Sequence, residues 1–522
     1  MEKRMFLAII ISVAILIGSQ YFYMQFMPPP PPHDNTTLSE KHTKENQTQP
    51  QKQTAVNAEA LNHTKQVPDK PAAPATVKEV KVETDLYTVV LTSQGASIKS
   101  VGLKRYKDKD GKPIVLKSDD TLRPLSVGHD DGFGLSGALF GTAGGNIILE
   151  SQAKPASVVF EYSAEGRFIR RTYTFSPGTY AIDVKDETSG MPSYWVALGK
   201  DFGIYEKDDS VHFGPVVLRD TDRDEYTHGK VKEPKIYNAG VKWLAQEDKY
   251  FFASIIPKGA LQETKIWDRQ NDIAAAIKFG SGSNNYMFYA GPKEHEDLKK
   301  LGVGLEHIVD FGMFSILALP LFWLLKVFYN VTHNYGVAIA IVTVLVRIPF
   351  IPIINKGQAS MKRMQEIQPK MAELKEKYKK DPQKMQKETM ELYKKHKVNP
   401  FGGCLPMLLQ IPVFFALYKV LLLAIELRNA PFALWITDLA TKDPYYVLPI
   451  IMGATMVIQQ KMTPSAMDPM QQKMMMLMPV VFTFMFLTFP SGLVLYWLVN
   501  NVLSIIQQYF ANKKAEATAA AA

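Results

Sequence analysis

Apolar residues are segregated along this chain, and that segregation decides the class of fold open to it. They concentrate in residues 5–24 and again from 309 onward, with a polar stretch between. Beyond residue 308 the apolar segments are 309–328, 336–354, 401–425, 445–460 and 474–510. A helix needs about 20 apolar residues to cross a bilayer. The last segment is too long for one crossing, and Pro490-Ser491-Gly492 divides it into 474–489 and 493–510. The chain therefore reads as a polytopic α-helical membrane protein with a large domain outside the bilayer.

Charge orients the helices. Residues 356–398 hold thirteen basic and six acidic residues, a net of +7 within a whole-chain formal charge of +9. Short loops rich in Lys and Arg stay cytoplasmic. If 309–328 crossed the membrane, this basic block would face outward. The segment is therefore expected to lie along the outer surface as an interfacial helix (301–333), which Asp310, Pro320 and Lys326 suit. Six transmembrane helices follow: 1–27, 334–355, 399–426, 445–461, 474–489 and 493–510. Both termini are then cytoplasmic. Residues 427–444 form a periplasmic loop, 462–473 a cytoplasmic loop and 511–522 a cytoplasmic tail.

The N-terminal segment starts with Lys3 and Arg4 and continues with bulky residues past its apolar run, so it reads as an uncleaved anchor. Residues 28–80 begin with five prolines and hold hardly any large apolar side chains, the composition of a disordered linker. Residues 81–300 read as an all-β domain. Strands at 157–163, 167–175 and 179–185 are separated by turns at 164–166 and 176–178. The single cysteine, Cys404, rules out an intrachain disulfide. No catalytic constellation, metal-ligand spacing or nucleotide motif emerges, so no cofactor is expected and no enzymatic activity.

Two features carry functional expectations. Met364, Ile367, Met371, Leu374 and Tyr378 return through Asp381-Pro382 to Met385, Thr389, Leu392 and His396, the spacing of an antiparallel helical hairpin. Its lysines, Lys370, Lys375, Lys377, Lys379, Lys380, Lys384 and Lys387, suit an anionic docking partner such as a ribosome or lipid. Arg347 is the second feature. It interrupts an apolar span, where a central arginine costs roughly 2.5–3.5 kcal/mol on insertion scales. With no clear acidic partner in the other spans, it calls for a hydrated cavity. Thr343 shares its helix face, and Gln410, Gln459, Gln460, Trp497, Asn500 and Asn501 supply other polar walls. Such a cavity would attract polar peptide segments while apolar ones leave sideways into lipid.

Several blocks carry a family resemblance: Asn399-Pro400-Phe401-Gly402-Gly403-Cys404-Leu405-Pro406, Ala430-Pro431-Phe432-Ala433-Leu434-Trp435-Ile436, Asp443-Pro444-Tyr445-Tyr446, Asp468-Pro469-Met470-Gln471-Gln472-Lys473 and Phe489-Pro490-Ser491-Gly492-Leu493-Val494-Leu495-Tyr496-Trp497. Together they resemble the YidC family of membrane protein insertases in its long Gram-negative form. The resemblance implies five core helices around a groove open to cytoplasm and lipid, with Arg347 as the groove arginine and Thr343 facing substrate. It implies Tyr496 and Trp497 in the groove and an all-β supersandwich in the periplasm. It further implies nascent membrane proteins as substrates, work beside the Sec translocon and its periplasmic accessory subunits, and a place in the bacterial inner membrane. A transporter would need paired intramembrane charges, and a tethered carbohydrate-active enzyme would need convergent carboxylates in the β domain. The sequence identifies neither.

Overall fold

The computed structural model describes residues 76–520 apart from 109, 119–121, 206–210, 228, 270–271, 380, 397, 399–404 and 464–468. The expected anchor (1–27), the linker up to residue 75, Lys380 and the 399–404 motif lie outside the described residues.

The β domain alternates buried and exposed positions strand by strand, which is how one sheet face finds a core. Its strands are β1 (Glu79–Glu83), β2 (Tyr87–Thr92), β3 (Ser97–Lys107), β4 (Pro113–Lys117), β5 (Val127–Gly128), β6 (Ile147–Ile148), β7 (Ala156–Ala164) and β8 (Arg167–Phe175). They continue as β9 (Ala181–Gly199), β10 (Gly214–Arg219), β11 (Asp222–Glu225), β12 (Lys235–Tyr237), β13 (Val241–Glu247), β14 (Phe251–Pro257), β15 (Glu263–Arg269) and β16 (Asp272–Pro292). One sheet of five strands runs β4-β3-β2-β1-β6. The other has eleven, with β11-β10-β13-β14-β16-β9-β8-β7 as its main path. The meander expected from the turns at 164–166 and 176–178 is present as β7-β8-β9, antiparallel throughout. Glu165 and Gly166 take left-handed φ of 55° and 71°, the conformation that a tight hairpin needs.

The linker expectation is corrected at its end. Residues 79–80 already belong to β1, where Val80 and Val82 are fully buried and pair with Leu91 and Val89. Two valines spaced by two are enough to seat a strand between β2 and β6, despite the polar residues before them.

A buried ion pair joins β8 to β9 and, through the Ala96 carbonyl, ties them to the β2–β3 turn of the other sheet. Arg171 of β8 faces inward with Ile169, Tyr173 and Phe175, all buried. Its guanidinium donates to both carboxylate oxygens of Asp186 at 2.7 Å, to the Ala96 carbonyl at 3.2 Å and to the Leu125 carbonyl. Tyr286 donates to Asp186 at 3.0 Å, and Tyr173 to Ala96 O at 2.6 Å. Burial pulls the guanidinium pKa down, and the adjacent Asp186 charge overrides it and holds it well above its ordinary value.

The helical part begins with α1 (His295–Lys300), then α2 (Ser315–Thr332), α3 (Tyr335–Arg347), α4 (Ile351–Glu366), α5 (Gln368–Lys377) and α6 (Pro382–Lys395). It ends with α7 (Leu405–Leu423), α8 (Val447–Met462), α9 (Pro469–Phe486) and α10 (Ser491–Ala520). Among the described residues, two helices are long and apolar enough to cross a membrane: Gly312–Thr332 and the continuous Tyr335–Glu366. Gln410–Leu423, Val447–Met462 and Met474–Phe486 are apolar but shorter.

α2 lies beside α7 in the same direction. The Phe314 and Phe415 rings stack at 5.6 Å, and further along Lys326 pairs with Glu426 at 3.3 Å. Ala318, Leu321, Phe322 and Leu325 form its buried stripe, while Ile316 and Trp323 are exposed. Its outward face is thus apolar: one side of the helix is packed and the other presents Ile316, Leu317, Leu319 and Trp323. The expected boundaries shift elsewhere too. The helix from Tyr335 passes through a 3₁₀ turn at Ile348–Phe350 and runs on to Glu366, with Pro349 and Pro352 each at the start of a turn, where a missing N–H is tolerated. α9 starts at Pro469 inside the expected loop 462–473, with proline in the first turn where its missing N–H is harmless. α10 continues through the expected tail to Ala520 on helix-favouring Lys, Ala and Glu.

The hairpin follows its spacing. Ile367 is buried, and Met371, Leu374, Tyr378, Met385, Thr389, Leu392 and His396 are sheltered, with exposed residues on either side. Asp381 caps α6 by accepting from the Lys384 amide at 3.0 Å.

Candidate functional site

Arg347 ends α3, at the point where the helix tightens into its 3₁₀ turn. The turn contains Pro349, and Pro352 follows in the first turn of α4. The guanidinium reaches across to α10. One terminal nitrogen donates to Asn500 O at 3.1 Å and Asn500 Oδ1 at 2.5 Å. The other donates to Ser504 Oγ at 2.8 Å and Gln507 Oε1 at 3.3 Å. Every acceptor is neutral, and among the described residues no carboxylate pairs with this charge. Glu426, the nearest thing to an acidic candidate in the sequence, is engaged by Lys326.

The contacts continue as a ladder of amides toward the hairpin end of the bundle. Gln507 Nε2 donates to Asn355 Oδ1 at 2.7 Å, and Gln358 Nε2 to Gln508 Oε1 at 2.8 Å. Gln508 donates to Asn512 Oδ1 at 2.8 Å, and Asn512 to the Met462 carbonyl at 3.3 Å. α4, α10 and the end of α8 are thereby joined by neutral groups. Sequence reading missed Ser504, Gln507, Gln508, Asn355 and Gln358. The available signal was the spacing of Asn500, Ser504 and Gln507, which places three polar side chains on one helix face.

The other expected residues divide. Asn500 joins Arg347 directly. Tyr496, one turn earlier on α10, is buried, and its hydroxyl accepts from Gln410 Nε2 of α7. Trp497 packs against Phe414 at 5.0 Å and Phe486 at 5.1 Å, as a wall between α7, α9 and α10. Thr343 lies one turn above Arg347 but is only 3% exposed, and its hydroxyl bonds back to Ile339 O at 2.6 Å. Gln460 remains partly exposed on α8, as does Gln459. Asn501 is buried and donates to Thr455 Oγ1 at 3.2 Å, serving as glue between α10 and α8. The hairpin lysines Lys370, Lys375, Lys377, Lys379, Lys384 and Lys387 are all exposed.

The end of the bundle away from the hairpin is held tightly. Asn334 caps α3 by accepting from the Val337 amide at 3.1 Å, and its amide donates to Phe432 O at 2.8 Å. Gly336 touches the Phe432 ring so closely that a Cβ there would overlap it. Ser491, at the start of α10, donates from its amide and its hydroxyl to Thr441 O at 2.7 and 2.9 Å. The site thus combines a tightly bonded far end with an arginine that, among the described residues, is bonded only to neutral groups and a neutral polar ladder at the near end.

Comparison with known proteins covers both parts of the chain. A family model described as YidC periplasmic domain matches residues 79–324, and one described as 60Kd inner membrane protein matches residues 327–518. The membrane protein insertase YidC of Syntrophus aciditrophicus is 43% identical, with 99% of this chain and 100% of that protein covered. The protein of the same name from Geobacter metallireducens is 44% identical, with 100% of both covered. Among solved structures, an active YidC insertase with its first transmembrane domain resolved aligns with 84% of this chain and 94% of its own, at 18% identity and a TM-score of 0.39.

Proposed function

The chain belongs to the YidC family of membrane protein insertases, and on that premise we propose that it draws polar segments of nascent membrane proteins into a hydrated groove around Arg347 and releases their apolar helices sideways into lipid. It is an insertase of the inner membrane with a periplasmic β domain, and insertases of this family are not enzymes. The observation that carries the groove is the bonding of Arg347. A cation held only by Asn500, Ser504 and Gln507 keeps its full charge, and water or a polar peptide group can replace each neutral acceptor in turn. In surroundings of lower dielectric than water, that charge attracts acidic and polar segments more strongly than it would in bulk.

Thr343 lies one turn deeper and meets the substrate once α4 and α10 part. Gln410, Tyr496 and Trp497 form the groove's upper wall, and Gln460 its rim. The tightly bonded far end keeps the groove closed to the periplasm. Six helices cross the membrane, five of them in the core, with both termini cytoplasmic. α2 lies along the outer interface without crossing. That arrangement keeps the basic hairpin inside. The hairpin lysines then meet the ribosome or anionic lipid, and the chain works alone or beside the Sec translocon and its periplasmic accessory subunits.

The test uses the purified chain in liposomes with a small phage-coat-like substrate and no ATP. Insertion is expected. Undiminished insertion after removal of residues 336–510 sinks the reading. Removal of most of 81–290 should leave basic insertion in place, and complete loss there moves the activity to the β domain.

A further inference from the structure

The loop between α7 and α8 carries bulky apolar side chains on backbone that such residues avoid. Three of its non-glycine residues take left-handed φ: Asn429 at 56°, Leu434 at 54° and Tyr446 at 58°. Asparagine enters this region readily, but leucine and tyrosine rarely do. Leu434 is 87% exposed and Tyr445 67% exposed, so neither gains a packed core for the strain beside it.

The loop does not present these residues by being slack. Phe432 N donates to Ile436 O at 2.9 Å, Ile436 N to Ala433 O at 3.0 Å and Leu439 N to Ala430 O at 3.0 Å. Buried Asp443 accepts from Trp435 Nε1 at 3.0 Å, Tyr445 N at 3.0 Å and Leu448 N at 2.7 Å. Ile436 and Leu439 are buried beneath. A firmly bonded base therefore holds Leu434 and Tyr445 away from the protein.

In water this arrangement would combine strain with exposed apolar surface, and glycine or asparagine would relieve both. At a lipid boundary the apolar tips find their solvent. Ile450 and Ile451, four and five residues after Tyr446 in the first turns of α8, are exposed as well. Exposed Lys442 sits with its amine 3.5 Å from the Tyr446 hydroxyl, at the level where headgroup phosphates would meet it. Tyrosine and lysine at a helix end are the side chains that favour this interface.

We propose that this loop is a lipid anchor: Leu434, Tyr445 and Tyr446 sit in the headgroup–acyl boundary of the leaflet at that end of the bundle, with Lys442 among the headgroups. The anchor rests on the reading of α8 as a membrane-crossing helix. It fixes the depth of the closed end, from which α3, α8 and α10 all start.

The test places a fluorophore on the full chain in a Cys404→Ser background, in vesicles of phosphatidylethanolamine and phosphatidylglycerol. Leu434→Cys carries the probe, with Lys154→Cys in the β domain as the water reference and Ile450→Cys on α8 as the lipid reference. Nitroxide lipids labelled near the headgroup should quench the probe at 434 about threefold more than iodide does, and the order should reverse at 154. Quenching at 434 by iodide, with lipid quenching at 450, overturns the anchor alone. Iodide quenching at 450 overturns the premise and the anchor with it. Failure of both quenchers to reach 434 places the residue against protein and also overturns the anchor.

Discussion

Arg347 and Asn500 are joined twice: one guanidinium nitrogen donates to both the backbone and the side-chain oxygen of the same asparagine, at 3.1 and 2.5 Å. The double contact fixes where the charge sits without neutralising it.

Substitutions around this pair should therefore separate charge from geometry. Arg347→Ala removes both, and insertion should fall to near background. Arg347→Lys keeps the charge but loses the planar fork that reaches Asn500, Ser504 and Gln507 together, so partial recovery is expected. Asn500→Asp places a carboxylate against the guanidinium. Insertion should drop roughly tenfold while the melting temperature holds or rises, because the pair then compensates itself. Equal insertion in Asn500→Asp and the parent chain, measured in liposomes, speaks against an uncompensated cation as the working element.

A packing test concerns α8 and α9. A Cβ at Gly453 would overlap the Thr483 hydroxyl oxygen, which donates to Pro479 O at 2.7 Å. Gly453→Val should destabilise the bundle by about 1–3 kcal/mol through overpacking. Gly453→Ala should be milder, and Thr483→Ala should recover part of its loss. Thermal melts in detergent measure both. An additive double variant argues against direct contact.

In the β domain, the Arg171–Asp186 pair allows a sign test. Removing one partner leaves a charge buried without compensation, so Arg171→Met should cost about 3–5 kcal/mol. Replacing both with apolar residues should cost much less. Denaturant unfolding of the full chain, followed by its β signal, gives the comparison.

Glu294 supplies a pH dependence. Burial raises its pKa above the ordinary 4.5, and a hydrogen bond with Asp297 adds to the shift, while the Tyr106 hydroxyl opposes it. The folded state therefore holds this proton more tightly than the unfolded chain does. Stability from this group is present below about pH 4.5 and declines as pH rises through the higher folded value. Glu294→Gln should flatten that decline and stabilise the domain at neutral pH. A melting temperature with the same pH slope in parent and variant rejects the assignment.

Much of the architecture could be read from local periodicity. The hairpin spacing from Met364 to His396 and the β7-β8-β9 meander depend on residues close in sequence, and the meander is present in the antiparallel order its turns imply. Arg347 was legible because a lone charge in an apolar run is conspicuous. Ser504 and Gln507 were not, since polar residues near the end of a span look like ordinary interface until α10 is laid against α3 and α4. Thr343 shows the opposite limit. Helical spacing put it on the arginine's side, but neighbouring helices bury it in this arrangement. Arg171 could have been noticed as a charge on an inward face, yet its partner is known only once the register of β8 on β9 is fixed.

The 3₁₀ turn at Ile348–Phe350 begins one residue beyond Arg347. Short 3₁₀ stretches inside long helices often mark hinges. Placed there, the pivot divides a fixed upper arm, anchored through Asn334 and Gly336, from a lower arm that carries the basic hairpin. Gln507 bonds on both sides of that turn, to the Arg347 guanidinium and to Asn355, so parting the lower arm from α10 would break the Asn355 contact and leave the two Arg347–Asn500 contacts in place.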